Sequence, residues 1–172
     1  MKKRLFFLLI ILTSLLPIAA HAQVRIFIYH AHSNMEFSGP RFTEHMDFLY
    51  NNGFHTITLD HLYDWMTNDA PLPIRPILIT FDDNYIDVYN TAYPILKARD
   101  FTANNYAHTN YVGGTGKCTW AQILEMESDG AFITESHTKN HVNLATQTLA
   151  VAKDEIEGSK AAVETNMGKT CE

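Results

Sequence analysis

Beyond its first two dozen residues, the chain alternates short apolar runs with stretches whose apolar residues recur every three or four positions. That alternation predicts βα units around a parallel sheet. Val24 to Tyr29 reads as a buried strand. Phe42, Met46, Leu49 and Tyr50 share one face of a helix that Gly53 stops. His55 to Leu59 is a short strand, and Asp60 is placed to cap a helix with Leu62, Trp65 and Met66 on its apolar side. Ile77 to Phe81 is the clearest buried strand, followed by a helix from Tyr89 to Arg99 with Pro94 as a kink or first-turn residue. Phe101 to Ala107 and Ala131 to Ser136 are further strands. Between them, Thr119 and Gln122 have capping-box spacing ahead of a helix through Glu127. Leu149, Ala152, Ile156, Val163 and Met167 predict one face of a long helix closed by Gly168. Five strands alternating with five helices predict an α/β fold, the first part of a (β/α) barrel lacking its last strands, since a closed barrel needs about 200 or more residues.

The first residues do not belong to that pattern. Lys2, Lys3 and Arg4 precede an apolar run from Leu5 to Leu16, and Ala20-His21-Ala22 offers small residues where a signal peptidase reads. Residues 1–22 are read as a secretory signal peptide and 23–172 as the folded domain, exported to the periplasm or beyond, with no membrane anchor after cleavage. The apolar run is shorter than the ~20 residues of a spanning helix. The signal holds three of the 13 Lys and Arg and none of the 19 Asp and Glu, leaving 10 bases against 19 acids, a net charge of −9. Such a chain repels phosphate backbones, so nucleic acid is excluded as a partner. Export permits a disulfide between Cys118 and Cys171; the other reading is two unpaired thiols. The loop with Gly113, Gly114 and Gly116 lacks the order of a phosphate-binding loop.

Two segments carry chemistry. In Thr80-Phe81-Asp82-Asp83-Asn84 an apolar strand runs into adjacent carboxylates. At the C-terminal end of a strand, where such folds place their chemistry, one carboxylate can bind a metal while the other stays free as a base. A double Asp can equally cap a following helix. In Ser136-His137-Thr138-Lys139-Asn140-His141 two histidines lie four apart after a strand. On a helical turn they would share a face, although solvent-facing histidines are common at such places. Asp83, His137 and His141 together form a two-His, one-carboxylate set suited to zinc, cobalt, nickel or iron. His30, at the end of the first strand, is a candidate rim residue. Trp65 and Trp120 read as core, and His45, His55, His61 and His108 as ordinary histidines.

These two segments resemble the T-F-D-D-G and [S/T]-H-[S/T]-x-x-H motifs of the polysaccharide deacetylase (NodB-homology) family, carbohydrate esterase family 4. Tyr93-Pro94-Ile95-Leu96-Lys97 and Thr119-Trp120-Ala121-Gln122 resemble the family's intervening helices. Arg25 to Asp64 resembles the leading segment of its exported poly-N-acetylglucosamine branch. The resemblance implies a hydrolase that removes N-acetyl groups from an N-acetylglucosamine-containing polysaccharide, with Asp82 as general base and Asp83, His137 and His141 as metal ligands. Asn84 replaces the family's Gly, and Asn tolerates left-handed backbone best among residues with a side chain. The family's third motif, with its Arg and Pro-Tyr, and its late His acid have no counterpart before Glu172. Two rivals stand beside this reading. A degenerate deacetylase would bind glycan without turnover. A glycoside hydrolase would need two carboxyls about 5 to 9.5 Å apart.

Overall fold

The computed structural model describes residues 23–31 and 37–171, so the expected signal peptide lies outside the described residues. Five parallel strands form one sheet: β1 (Arg25–His30), β2 (His55–Ile57), β3 (Pro76–Asp82), β4 (Ala103–Ala107) and β5 (Phe132–Ser136). β3 is the hub. β1 runs along one side of it, while β2 and then β4 share the other, with β5 beyond β4. All links are parallel, and they are joined by α1 (Gly39–Asn51), α2 (Leu59–Asn68), α3 (Tyr93–Lys97) and α4 (Trp120–Ser128), with α5 (Leu149–Met167) after β5. This is the α/β architecture the sequence predicts, and among the described residues the sheet does not close on itself.

α1, α3 and α4 cover the sheet face that carries Ile77, Ile79 and Phe81, all fully buried. On α1, Phe42, Met46 and Leu49 pack there, an i, i+4, i+7 stripe. Ser38 caps that helix by accepting the Arg41 N–H, and Gly53, at φ 67°, supplies the left-handed turn that ends it. Tyr50 lies off the buried stripe and is exposed. Thr119 and Gln122 form the expected capping box of α4.

Several expectations are corrected. β1 is an edge strand with exposed side chains on both faces, Ile28 reaching 62% exposure, because among the described residues only β3 pairs with it. Thr58, not Asp60, caps α2, with His61 completing its capping box. Trp120 packs half-buried against the core, whereas Trp65, also half-buried, is not part of that cluster. The helix foreseen from Tyr89 splits into a π-helical stretch, Val88–Ala92, followed by α3. Pro94 sits in the first turn of α3, where its missing N–H shifts the hydrogen-bond register. On α5 the buried positions are Glu155, Ser159 and Val163, while Leu149 is 86% exposed and Ile156 half exposed. Cys118 and Cys171 are both buried free thiols, and the disulfide that export would permit is not formed. The Cys118 thiol donates to the Tyr85 carbonyl at 3.3 Å.

Candidate metal centre

Three neighbouring strands each release a polar residue one step past their C-terminal end: Asp83 after β3, His108 after β4 and His137 after β5. The register places Asp82 beside Tyr106 and Tyr106 beside Glu135, so the three emerge at one level of the sheet. His141 reaches the same point from the loop beyond His137. His108 Nε2 lies 2.8 Å from Asp83 Oδ1, His137 Nε2 3.8 Å and His141 Nε2 3.9 Å. One donor atom from each of the four residues falls within 4.8 Å of the others. The rings gather face to face, with His108 and His137 centroids 4.8 Å apart and nearly parallel. Sequence reasoning brought Asp83, His137 and His141 here and missed His108, which has no partner at a telling spacing. Its place immediately after a strand, like that of Asp83 and His137, was the available signal.

The turn after β3 aims the carboxylates. Asp83 and Asn84 take left-handed backbone at φ 73° and 53°, a conformation that side chains other than Asn and Asp tolerate poorly. Asn84 is buried, donating to the Cys118 carbonyl and accepting from the Asn105 amide, both at 3.3 Å. Those bonds offset the backbone cost and explain how Asn serves at this turn. The Asp83 carbonyl accepts the Lys117 ammonium at 2.7 Å. That ammonium sits 3.4 Å from the centre of the Tyr85 ring, a cation–π contact. Asp82, the last residue of β3, points its Oδ2 toward His30 Nε2 of the adjacent strand end at 3.7 Å. His30 thus lies beside Asp82 at the strand ends.

The histidine pair does not sit on a helical turn. Residues 137–141 form an irregular loop with Thr138 at φ 65° and His141 at φ 55°. Its backbone bonds go instead to the segment after β4, where Thr109 and Asn110 donate to the Thr138 and Lys139 carbonyls, and to α5. The buried Glu155 carboxylate accepts the Lys139 N–H at 2.9 Å, the Asn140 N–H at 2.8 Å and the Asn140 side-chain amide at 2.6 Å. Those donors, the Asn140 amide first, hold the carboxyl below its ordinary range. Ser159 donates to the Thr138 carbonyl at 3.0 Å. The polar buried face of α5 is thus the clamp that shapes the histidine loop.

Burial pushes the His108 imidazole down to about 4 and also lowers that of His137, so both rings are neutral at pH 7 and carry a free lone pair. The cluster opens into a recess of about 330 Å³ that Tyr85, Tyr111, Lys117 and Asn140 help to line. A larger apolar recess of about 690 Å³ lies elsewhere, along β1 and α1. The chemistry sits with the smaller polar one.

Comparison with known proteins points the same way. The family description Polysaccharide deacetylase matches residues 69–172. The Bacillus subtilis protein YxkH, whose name assigns it to the polysaccharide deacetylases, is 33% identical over 142 residues, 81% of this chain and 50% of its own. The poly-beta-1,6-N-acetyl-D-glucosamine N-deacetylase of Staphylococcus epidermidis is 34% identical over 71 residues, 38% of this chain and 25% of that one. The chain thus spans half or less of the length of these curated relatives. Among solved structures, the Streptococcus pyogenes deacetylase PplD in complex with acetate superposes with a TM-score of 0.80 at 26% identity, over 86% of this chain and 70% of that one.

Proposed function

Given that the chain belongs to the polysaccharide deacetylase family, we propose that it is an exported, metal-dependent hydrolase that removes N-acetyl groups from an N-acetylglucosamine-containing polysaccharide. One observation carries the reading: a carboxylate and imidazoles far apart in sequence converge on one point, with a second carboxylate at the preceding residue. The Staphylococcus epidermidis relative supports the substrate class.

The residues present fit a divalent cation. Asp83 Oδ1 is buried and has no hydrogen-bond partner among the described residues. A buried, unpaired anionic oxygen is costly unless a cation completes it. Two-His, one-carboxylate donors suit zinc first, then cobalt, nickel or iron. Asp83, His137 and His141 would hold the ion. A divalent ion there supplies positive charge that polarises an acetamide carbonyl and makes a nearby water more acidic. Asp82 is free of the cluster and one-fifth exposed on its side chain, so it can take the proton of the attacking water. His30, facing Asp82, borders the path by which the sugar would approach. The turn at Asp83-Asn84 keeps the base and the ligand on separate tasks although they are neighbours in sequence. A paired-carboxylate glycoside hydrolase is the weaker account, because it leaves the converging imidazoles without a role.

The direct test is metal analysis of the purified protein together with acetate release from N-acetylglucosamine oligosaccharides. About one divalent ion per chain is expected, with acetate release lost on chelation and restored by zinc or cobalt. Sugar-chain cleavage without acetate would overturn the reading. The clamp on α5 gives a second expectation. Glu155→Ala should leave three loop donors unpaired and weaken metal affinity roughly 10- to 100-fold, the usual cost of losing a group that orients ligands. A chelator-competition titration reads it, and unchanged affinity would show that the loop holds its shape without the clamp.

A further inference from the structure

We propose that His108 is a fourth protein ligand of this centre, making the donor set three imidazoles and one carboxylate. The inference rests on the metal-site reading above and deepens it. His108 is 5% exposed, and its Nε2 is buried without a hydrogen-bond partner among the described residues. Asp83 Oδ1 is in the same condition. The two atoms are only 2.8 Å apart, yet no hydrogen bond joins them. Two buried acceptor-capable atoms that crowd together without bonding each other are arranged for a shared cation. His108 is also the nearest imidazole to Asp83, closer than His137 or His141. It has the least exposed side chain of the three, 5% against 32% and 58%. Its origin on β4, between β3 and β5, puts it at the middle of the rim.

A fourth ligand changes what the ion can do. Four protein donors fill the tetrahedron that closed zinc sites prefer. An ion in this pocket keeps a position for substrate only by accepting five or more ligands. That favours ions comfortable above four-coordination, such as cobalt, nickel or iron, while zinc would have to expand beyond its preferred four.

X-ray absorption of the cobalt-loaded protein tests the assignment. Three imidazoles per metal are expected in the wild type and two in His108→Ala, with metal affinity falling by roughly 100-fold or more, at or beyond the upper end of the loss that a merely orienting group causes. His108→Gln separates ligation from positioning. An amide can offer the Asp83 carboxylate a donor but replaces an imidazole poorly as a ligand, so the variant should bind metal no better than the Ala variant. Two imidazoles in the wild type, or full rescue by Gln, would overturn the fourth-ligand assignment while leaving the centre itself intact. A wild type that takes up no divalent ion would instead overturn the metal reading and this proposal with it. The wild-type count decides even if a variant fails to fold, and circular dichroism of each variant checks that point.

Discussion

Asp82→Asn should bind metal as the wild type does and release acetate about 10²- to 10⁴-fold more slowly, the range general-base removal costs. The substitution keeps the size of the side chain and removes only its ability to take a proton. Asp82 is not among the converging donors, so metal content should not fall. Its side chain is partly exposed and its closest ionic partner is His30 at 3.7 Å, so the fold should lose little. The separation between intact metal binding and lost turnover distinguishes a base from a ligand. Paired metal analysis and acetate assays on both proteins read it. Acetate release at the wild-type rate would remove Asp82 from the chemistry and shift the search for a base to other rim groups.

Phe81→Ala should have the largest effect on stability, about 3–5 kcal/mol. Phe81 is fully buried and its ring meets four others: Tyr29 at 5.4 Å, Phe37 at 6.2 Å, Phe42 at 5.7 Å and Phe132 at 5.5 Å between centroids. Truncation leaves a cavity at the junction of β1, β3, β5 and α1, where relaxation by any one element is blocked by the others. Against a total of roughly 5–15 kcal/mol for a typical domain, most of the margin goes. Asp82 ends the same strand and Asp83 follows it, so metal binding and folding are linked. Metal at about 100 times its dissociation constant should return about 2.7 kcal/mol to the folded state. Urea unfolding with and without cobalt checks both numbers. A variant with wild-type midpoint would mean the aromatic cluster is not what holds β3 in place.

Much of this was legible where local chemistry and global packing agree. β3 reads as buried because its apolar run, Ile77 to Phe81, lies between β1 on one side and β2 and β4 on the other. Thr119 with Gln122 and the left-handed Gly168 mark helix ends by bonds made within a few residues, so no distant information is needed. The illegible parts depend on distant partners. The apolar spacing of α5 indicates a face with Leu149 and Ile156, but beside Val163 the side that docks carries Glu155 and Ser159, because part of its partner is the backbone of the histidine loop. The exposure of β1 follows from which strands flank it. His108 is a single histidine whose meaning comes only from strand order, since β4 lies between β3 and β5. The Asp-Asp and His-x-x-x-His segments were visible, yet the helical turn assumed for the histidines is an irregular loop held by α5.

Each donor that emerges from a strand end does so from its own strand, one residue beyond the main-chain ladder. Frame and chemistry are therefore separable. Exchanging His108 for another side chain leaves the hydrogen bonds of β4 to β3 and β5 in place, because those are made by residues up to Ala107. A scaffold wired in this way can be retuned toward a different ion one socket at a time.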